Sequence, residues 1–588
     1  MTTENITDNA TVPVLPLEKD DRVGELQSYF VEGLTQESGY AKLTDDKKQQ
    51  VSSVLQQLKS MRFDDRVSFS SVAKSLLEGV DSGLTRYIDI ALDSATECLP
   101  NIKGVLVIYT GGTIGSAPKD PADPDSPQIV MPWNNLKNAA PRLNGFGYPV
   151  DAVSFAQPLD SCNVGPEHWR TMAHIIKQHY DQYAGFIILH GTDSMVYTAS
   201  SMAFMLQELS KPVVVTGSQV GGIVNPRNDA HQNMVTAIML ANAERHNLPI
   251  IPEVVIAFGN RILRGCRAKK MNVISYQGFD SANYPHLGGC GDHIAIERKQ
   301  IRAPSELGLQ VYDQMNTHVI TLEVFPGMQH STVLGNILKD ENLKGVVVKA
   351  YGAGNIPTDP TFLDLFKAFV DRGGVVVVTT SVPTGHVEMG LYETSQVLLD
   401  RGLIGCFDIT SEAALCKLMM LLGTYPDDPQ TVTRIMQQSI VGEQSLTLEF
   451  TAFNEVGQLV GNETTTIKSN ELLSSDDEDL IDSVILRFKN ARLTPVTDRQ
   501  ATIVLQLNGS QSLGEFKREA VPQQALVTDE GAGESLALDL TKHKALFISK
   551  ATSGRLGAKQ AISFDISLQE SDASFAWDEA ELNIYIRD

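Results

Sequence analysis

Residues 105–115 read Val-Leu-Val-Ile-Tyr-Thr-Gly-Gly-Thr-Ile-Gly, and this stretch decides the fold of the chain around it. The continuous apolar run Val105–Tyr109 is typical of a strand that is covered on both faces, as strands of parallel sheets are. The paired glycines at 111 and 112 then end the strand in a turn where the backbone can approach a ligand closely. The sequence therefore predicts a buried parallel strand whose closing loop exposes Thr113.

Short apolar runs of the same kind recur further along the chain, and apolar residues at helical spacing separate them. Strands that alternate with helices are typical of βαβ units and a parallel sheet, which binds ligands at the carboxyl ends of its strands. The predicted strands are Gly185–Leu189, Pro212–Thr216, Val254–Phe258, Val319–Val324, Gly345–Ala350 and Gly374–Thr379, and the helices between them include Glu167–Asp181, Tyr197–Glu208 and Asp229–Glu244.

The two ends of the chain follow other patterns. Residues 1–20 are polar and predict a disordered tail, and residues 21–99 hold three segments of helical spacing, the second of which Ser68 or Ser70 is expected to cap. After residue 442 short alternating runs predict a β-sandwich or small barrel, and the acidic run Asp476–Asp479 predicts a solvated loop. The predicted runs are Leu446–Phe450, Ser483–Phe488, Ala501–Leu507, Leu536–Leu540, Ala545–Ser549, Ile562–Ile566 and Leu582–Ile586.

These changes of pattern divide the chain into five parts. A chain of 588 residues is too long for one hydrophobic core. The predicted parts are a tail and helical extension at 1–100, an α/β domain at 101–288, a linker at 289–316, a second α/β domain at 317–442 and a β-rich domain at 443–588.

Composition excludes several classes of function. The 48 basic and 71 acidic residues give a net charge of −23, which argues against nucleic acid or an anionic membrane as the main partner. The N-terminus shows no basic and apolar signal peptide, and no apolar run reaches the roughly 18 residues of a membrane span. The six cysteines form no CxxC and no zinc-ligand spacing, so we expect free thiols, a cytoplasmic location and no metal.

Three strand-end loops carry candidate chemistry. The loop at 109–115 could be a phosphate loop, although it lacks both GxGxxG and the lysine of GxxxxGK[ST]. In His190-Gly-Thr-Asp-Ser194 the Thr-Asp pair could simply cap a helix, and His190 is interpreted as a packed, hydrogen-bonded side chain rather than a base. Lysines 269 and 270 follow the strand ending near Phe258. A lysine indicates a catalytic role only where it lies beside an acid and a hydroxyl, because its ammonium can then polarise the hydroxyl.

Taken together, the three loops resemble the bacterial-type L-asparaginase family, closest to its cytoplasmic type I branch. Thr110–Gly115 looks like the first family signature and Leu189–Ala199 like the second, and the resemblance spans roughly residues 103–440. It implies a two-domain α/β asparaginase core with parallel-type sheets flanked by helices, to which the helical N-terminal segment and the β-sandwich-like C-terminal domain are added. Supporting matches are Asp160-Ser161, Lys211–Gln219, Arg227–Asp229 with Asn233, and Tyr351–Asn355.

The resemblance also implies roles for single residues. Thr113 matches the threonine usually regarded as the nucleophile, and Thr192, Asp193 and Lys270 match the second catalytic threonine with its acid and lysine partners. Lys270 is preferred to Lys269 because Asn283-Tyr284 then falls in register with the family. Which threonine attacks first stays open at this point. No cofactor is implied.

Substrate-binding residues follow from the same resemblance. Asp160 and Ser161 belong to the substrate loop, where Ser161 would bind the α-carboxylate, and Asp193 would hold the α-ammonium group. Backbone amides around Gly112 and Thr192 could stabilise the oxyanion.

Three departures from the family pattern affect these expectations. The loop after the first signature has no tyrosine before Tyr148, where family members often place one that supports the nucleophile. Cys162 stands where the family commonly has serine or glutamine, which raises the alternative of a reactive cysteine, although no histidine is placed to activate it. Lys349 stands where some type I enzymes have an arginine linked to allosteric asparagine binding.

The predicted function is hydrolysis of L-asparagine to L-aspartate and ammonia, with possible glutaminase side activity. One alternative is an amidotransferase-like component that releases ammonia for a partner, and another is a non-catalytic scaffold of the same fold. A homodimer or homotetramer is expected from the resemblance, and the end domains could recruit a protein partner.

Overall fold

The computed structural model describes most of the chain in segments separated by gaps. The described residues are 12–17, 23–60, 66–81, 84–98, 103–120, 126, 128–133, 146, 148–221, 227–389, 393–453, 456–460, 463–469, 481–494, 500–507, 511–519, 534–542, 562–569 and 574–587. They fall into two compact units, the first within Met1–Ser281 and Pro285–Val311 and the second within Ala282–Tyr284 and Tyr312–Asp588.

The first unit combines a helical segment with an α/β sheet. Its helices are α1 (Val23–Gln36), α2 (Ser38–Ala41), α3 (Asp45–Ser60), α4 (Arg66–Val80), α5 (Thr85–Cys98), α6 (Pro166–His179), α7 (Met195–Met205) and α8 (Ala230–Ala241). Its strands are β1 (Val105–Gly111), β2 (Ser116–Pro118), β3 (Gln128–Val130), β4 (Val150–Leu159), β5 (Gly185–Leu189), β6 (Leu206–Gln207), β7 (Val213–Thr216), β8 (Val254–Phe258), β9 (Arg261–Arg264), β10 (Lys269–Lys270), β11 (Phe279–Asp280), β12 (Gly288–Cys290), β13 (Ile294–Ile296) and β14 (Gln310–Val311).

Helices α1 to α5 pack around a hydrophobic core of their own. Val51, Leu55 and Leu58 recur at helical spacing and are buried on one face of α3. The ring of Phe30 meets that of Phe69 edge to face at 5.5 Å. The three predicted helical segments are confirmed. The predicted cap is wrong, because α4 already begins at Arg66 and both Ser68 and Ser70 lie inside it.

The central sheet of the first unit has the strand order β13-β12-β9-β8-β7-β5-β1-β4. Strands β4, β1, β5, β7 and β8 are parallel, and β9, β12 and β13 extend the sheet in antiparallel fashion. Every residue of β1 is buried, which explains its uninterrupted apolar run. Because β1 lies between β4 and β5, the loops that follow these three strands are neighbours at one edge of the sheet.

A short N-terminal segment runs along the outer strand β4. Val14 pairs with Phe155, the Leu15 amide donates to the Ser154 carbonyl at 2.8 Å, and the Ala156 amide donates to the Pro13 carbonyl at 3.0 Å. Residues 12–17 therefore differ from the expected disordered tail, because the exposed edge of β4 supplies backbone partners that a reading of polarity alone does not reveal. Residues 1–11 and 18–20 lie outside the described residues.

The stretch predicted as a linker, 289–316, contains strands β13 and β14 and all but the first residue of β12. Strands β12 and β13 complete the edge of the central sheet, and β14 pairs with β6. The pairing of β14 with β6 places residues 310 and 311 in the first unit. The predicted boundaries of the five parts stay a prediction.

The second unit begins with a smaller parallel sheet and its helices. The strands are β15 (Val319–Glu323), β16 (Gly345–Ala350), β17 (Val375–Thr380) and β18 (Ile404–Gly405), paired in that order, and the helices are α9 (Thr332–Leu338), α10 (Pro360–Asp371), α11 (Glu393–Leu399), α12 (Ser411–Thr424) and α13 (Pro429–Met436). Phe362 and Phe366 of α10 pack in one core with Val346 and Val348 of β16. The predicted strands of both parallel sheets are confirmed.

The remaining described residues of the second unit are strands. They are β19 (Leu446–Phe453), β20 (Gly457–Val460), β21 (Thr464–Ser469), β22 (Ile481–Thr494), β23 (Gln500–Leu507), β24 (Gln511–Glu519), β25 (Glu534–Asp539), β26 (Ile562–Leu568), β27 (Ser574–Trp577) and β28 (Glu579–Arg587). They form two antiparallel sheets, one ordered β19-β28-β22-β27-β20 with β25 beside β22, the other ordered β21-β26-β23-β24.

Both antiparallel sheets contribute to one hydrophobic core. Phe488, Phe575 and Trp577 come from the larger sheet, and Phe564 and Ile503 come from the smaller one. Two sheets that share a core in this way confirm the predicted β-sandwich. The predicted strand Ala545–Ser549 and the acidic run Asp476–Asp479 lie outside the described residues. In the part of the chain that the structure describes, no helix has the length and hydrophobicity needed to cross a membrane.

Candidate active site

The loop after β1 carries Thr113 on a short 3-10 turn, Thr113–Gly115. Gly112 has φ +82°, and a Cβ atom at that position would stand 2.3 Å from the Gly191 nitrogen in the loop after β5. Only glycine therefore permits this approach of the two loops. Ile114 and Gly115 are buried while Thr113 is partly exposed, so the turn presents the threonine to solvent. Within the described residues the Thr113 hydroxyl has no hydrogen-bond partner, and its position follows from the backbone.

The loop after β5 places Thr192 and Asp193 in front of α7. Thr192 is buried, whereas the Asp193 side chain is 63% exposed. The Asp193 amide donates to Ser161 Oγ at 3.2 Å, and the Ser194 hydroxyl donates to the Ser161 carbonyl at 2.5 Å. The loops after β5 and β4 are thus joined by hydrogen bonds. Ser194, the residue directly before α7, forms no side-chain capping hydrogen bond. A cap formed by the Thr192-Asp193 pair stays a prediction.

Lys270 reaches this loop from the two-stranded ladder of β10 and β11. Lys270 pairs with Phe279, whose ring packs against that of Phe258 at 4.9 Å. The Nζ atom of Lys270 donates to Thr192 Oγ1 at 2.9 Å and forms an ion pair with Asp193 Oδ1 at 2.7 Å. The Lys270 ammonium therefore contacts both the Thr192 hydroxyl and the Asp193 carboxylate directly. The sequence had grouped these three residues only through their match to family motifs.

Asp160 and Ser161 open the loop after β4. The Asp160 carboxylate accepts the Cys162 amide at 3.5 Å and caps the 3-10 turn Ser161–Asn163. Ser161 is almost fully buried, with 1% of its surface exposed, and Asp160 is exposed. Cys162 is exposed with a free thiol. In the described ranges no group of three or more His, Cys, Asp and Glu side chains is arranged to hold a metal ion.

His190 links the loop after β5 to helix α7 through hydrogen bonds. It is fully buried, its Nδ1 lies 2.6 Å from the Gly191 carbonyl, and its Nε2 lies 2.9 Å from Thr198 Oγ1. A carbonyl can only accept, so Nδ1 carries the proton and Nε2 accepts from Thr198, which in turn accepts from Trp169 Nε1 at 2.9 Å. Burial lowers the pKa of His190 to about 4, which keeps the imidazole neutral. The prediction of a packed, hydrogen-bonded histidine is confirmed.

The buried neutral histidine predicts a pH-dependent stability. The unfolded chain binds a proton at His190 with the ordinary pKa of 6.5, but the folded chain does so only near 4. The neutral His190 therefore contributes fully to the free energy of unfolding above pH 6.5. We expect about 3 kcal/mol of that free energy to be lost between pH 6.5 and 4. Unfolding by urea at pH 7 and pH 4 measures this, with His190→Gln as the control that keeps the other titrating groups. Equal pH dependence of the two proteins would contradict the assignment.

Asp229 and Asn233, which the sequence offered only as supporting matches to the family, organise two further loops. The Asp229 carboxylate accepts the amides of Gln219 and Val220. Asn233 donates to the Gly217 carbonyl at 2.9 Å and accepts the Gly259 amide at 3.0 Å, which ties the loop after β7 to the turn after β8. The match to the family pattern located both residues, but it did not indicate which backbone groups they bind.

Comparison with known proteins identifies the family to which this part of the chain is similar. Residues 104–302 match the family described as "Asparaginase, N-terminal", and residues 318–436 match "Glutaminase/Asparaginase C-terminal domain". L-asparaginase 1 of Escherichia coli is 36% identical over 346 residues, which cover 58% of this chain and 98% of that protein. The chain belongs to the asparaginase family.

Two further similarities define how far the family extends along the chain. The crystal structure of L-asparaginase I from Vibrio cholerae matches with a TM-score of 0.52 and 32% identity, covering 58% of this chain and 99% of that one. The human 60 kDa lysophospholipase is 37% identical over 345 residues, which cover 54% of this chain and 57% of that protein. The asparaginase fold thus occupies somewhat more than half of the chain.

Proposed function

We propose that this protein hydrolyses L-asparagine to L-aspartate and ammonia with a threonine nucleophile, and L-glutamine as a slower substrate. The observation that carries the proposal is the contact of Lys270 Nζ with both Thr192 Oγ1 and Asp193 Oδ1, at 2.9 and 2.7 Å. Thr192 and Asp193 lie in the loop after β5, which approaches the loop that carries Thr113 at Gly112 and Gly191. Membership of the asparaginase family supports the same reaction class.

Thr113 is assigned as the nucleophile because it is the partly exposed hydroxyl on the turn after β1. Its oxygen attacks the side-chain amide carbon of the substrate, the C–N bond breaks, and ammonia leaves with the proton that the hydroxyl gives up. Water then hydrolyses the acyl ester to aspartate and restores the threonine. A neutral hydroxyl needs a partner that accepts its proton, and we assign Thr192, Asp193 and Lys270 as the relay.

The other assigned residues bind the substrate. Ser161 binds the α-carboxylate, Asp193 holds the α-ammonium group with its exposed carboxylate, and Asp160 shapes the loop as the cap of its 3-10 turn. We assign stabilisation of the oxyanion to backbone amides around Gly112 and Thr192, since preorganised donors serve this purpose in acyl transfer.

The proposal is tested by a substrate panel on the full-length protein. We expect L-asparagine to yield ammonia and aspartate in equal amounts, L-glutamine to react more slowly, and D-asparagine to serve as a stereochemical comparison. A lysophospholipid is included because one relative carries the name lysophospholipase. Release of fatty acid with no ammonia from either amino acid amide would overturn the proposal.

Replacing Ser161 by alanine is expected to raise KM for L-asparagine about tenfold to a hundredfold with little change in kcat, since a hydrogen bond to a charged group contributes roughly 1.5–3 kcal/mol. Initial rates over a range of substrate concentrations separate the two parameters. Cys162→Ala is the matched control at the next, exposed position. It is expected to keep wild-type kinetics, and loss of activity in that variant would instead favour the reactive-cysteine alternative.

The remaining expectations from the sequence stay predictions. They are a cytoplasmic location, a homodimer or homotetramer, recruitment of a protein partner by the end domains, and the absence of nucleic acid, membrane, metal and cofactor from the function. The amidotransferase-like alternative predicts that ammonia release rises when a partner is added, and the scaffold alternative predicts no reaction with any amide.

A further inference from the structure

A small hairpin extends the turn that bears Thr113. Strand β2 follows Gly115 directly and pairs with β3 in the register Ser116↔Val130, Ala117↔Ile129 and Pro118↔Gln128. The Asp120 amide donates to Ser126 Oγ at 3.0 Å, so the two arms stay close beyond the paired strands. The hairpin therefore joins the nucleophile turn directly to Met131, the residue that follows β3.

Tyr109, the last residue of the apolar run in β1, lies beneath this hairpin. Its side chain is completely buried, and its hydroxyl donates to the Met131 carbonyl at 2.7 Å. A Cβ atom on Gly115 would stand 1.8 Å from the same hydroxyl oxygen. The last glycine of the first signature is thus explained by a close approach, since no side chain at position 115 could coexist with the Tyr109 hydroxyl.

Both backbone polar groups of Met131 are used in this arrangement. Its carbonyl accepts from Tyr109, and its amide donates to the Gly115 carbonyl at 2.8 Å. Trp133, which is 4% exposed, packs its ring against that of Tyr109 at 5.7 Å. The turn, the end of the hairpin and the Tyr109 side chain therefore form a closed set of contacts.

We propose that Tyr109 is a positioning residue, whose hydroxyl holds the β2–β3 hairpin against the Thr113–Gly115 turn and so fixes the position of the nucleophile. The proposal rests on the assigned role of Thr113. Burial raises the pKa of the Tyr109 hydroxyl above its ordinary value of 10.0, so it stays a proton donor throughout the neutral range.

The test uses Tyr109→Phe in the full-length protein, which removes one oxygen and keeps the ring. We expect kcat for L-asparagine to fall about tenfold while KM changes less than about threefold, since a displaced nucleophile affects the reacting geometry more than binding. We also expect amide hydrogen exchange in residues 116–131 to become faster. Tyr148→Phe is the matched control, because that buried hydroxyl bonds His246 at 2.7 Å, outside the contacts of this hairpin.

A second variant disturbs the same contact by changing Gly115 instead of Tyr109. Gly115→Ala forces Tyr109 to move, and we expect the same loss of kcat and faster exchange over the hairpin. In the double variant the combined loss is expected to be smaller than the product of the two, because both changes break one contact. A combined loss equal to the product would overturn the proposal.

The two readouts separate this inference from the proposed function. Faster exchange with unchanged kcat, or a loss of kcat with unchanged exchange, would overturn the positioning role. If the wild-type protein hydrolyses no amide, the proposed function fails and with it the catalytic consequence, while unchanged exchange in Tyr109→Phe would separately refute the contact.

Discussion

Replacing Lys270 by methionine is expected to lower kcat for L-asparagine by about a thousandfold, within the range that positioned proton-transfer groups contribute. Lys270 Nζ touches Thr192 Oγ1 and Asp193 Oδ1 at once, and its side chain is only 17% exposed. Methionine keeps most of the length and the apolar stem, so β10 should retain its pairing with β11 while the ammonium is lost. The hydroxyl and the carboxylate then lose their common partner.

Lys269→Met is the matched control for this result. Lys269 is the neighbouring residue of the same two-residue strand and pairs with Asp280 instead of Phe279, so alternation directs its side chain to the other side of the ladder. We expect its kcat to stay within about threefold of wild type. Stopped assays of ammonia release on both variants, with calorimetric melting to show that each is folded, make the comparison. Retention of wild-type turnover by Lys270→Met would remove the lysine from the proposed relay.

The sequence predicted the strands that bear the site better than the contacts within it. Val105–Tyr109 and Gly185–Leu189 were recognisable because strands covered on both faces require uninterrupted apolar residues. The loops that follow them were located for the same reason. Strands β10 and β11 were not foreseeable, since two residues carry no periodicity. Lys270 was singled out by its match to a family, and its approach to Thr192 depends on that unforeseen ladder.

Contacts distant in sequence account for the other omissions. Tyr109 belongs to an apolar run, and nothing in that run shows that its hydroxyl meets Met131. Lys417 of α12 would ordinarily be expected to be solvated, as most lysines are. Its side chain is instead 0% exposed and pairs with Glu443, which is also 0% exposed. Only the packing of α12 against the segment after α13 brings those charges together.

The second large effect concerns this buried ion pair. Lys417 Nζ lies 2.6 Å from Glu443 Oε1 and also donates to the carbonyls of Met436 and Gln438. The Glu443 carboxylate accepts the amides of Ile440 and Val441 at 2.9 and 2.8 Å. Burial by itself raises the pKa of Glu443, but Lys417 and the amides together outweigh it and hold that pKa below the ordinary 4.5. The pair thus fixes the segment that leads from α13 into β19.

Lys417→Met is expected to lower the free energy of unfolding of this part of the chain by roughly 3–5 kcal/mol, because it leaves a buried carboxylate without its countercharge. The double variant Lys417→Met/Glu443→Gln is expected to recover part of the loss, since the amide oxygen of glutamine can still accept from Ile440 and Val441. Calorimetry of wild type and both variants measures the shift in melting temperature. A double variant no more stable than Lys417→Met would show that the unpaired charge is not the cause.

The effect of pH provides an independent check of the same pair. Because the folded pKa of Glu443 is depressed, its contribution is fully present above about pH 4.5 and is lost as the pH falls through the folded value. The difference in melting temperature between wild type and Lys417→Met should therefore shrink below pH 4.5, and a constant difference would contradict the assignment.

A domain boundary drawn between residues 442 and 443 would separate Lys417 from Glu443. It would also separate Asp408 from Ser445, whose hydroxyl donates to the Asp408 carboxylate at 2.5 Å. A truncation that removes the β-rich strands without destabilising the core must therefore keep residues 443–445.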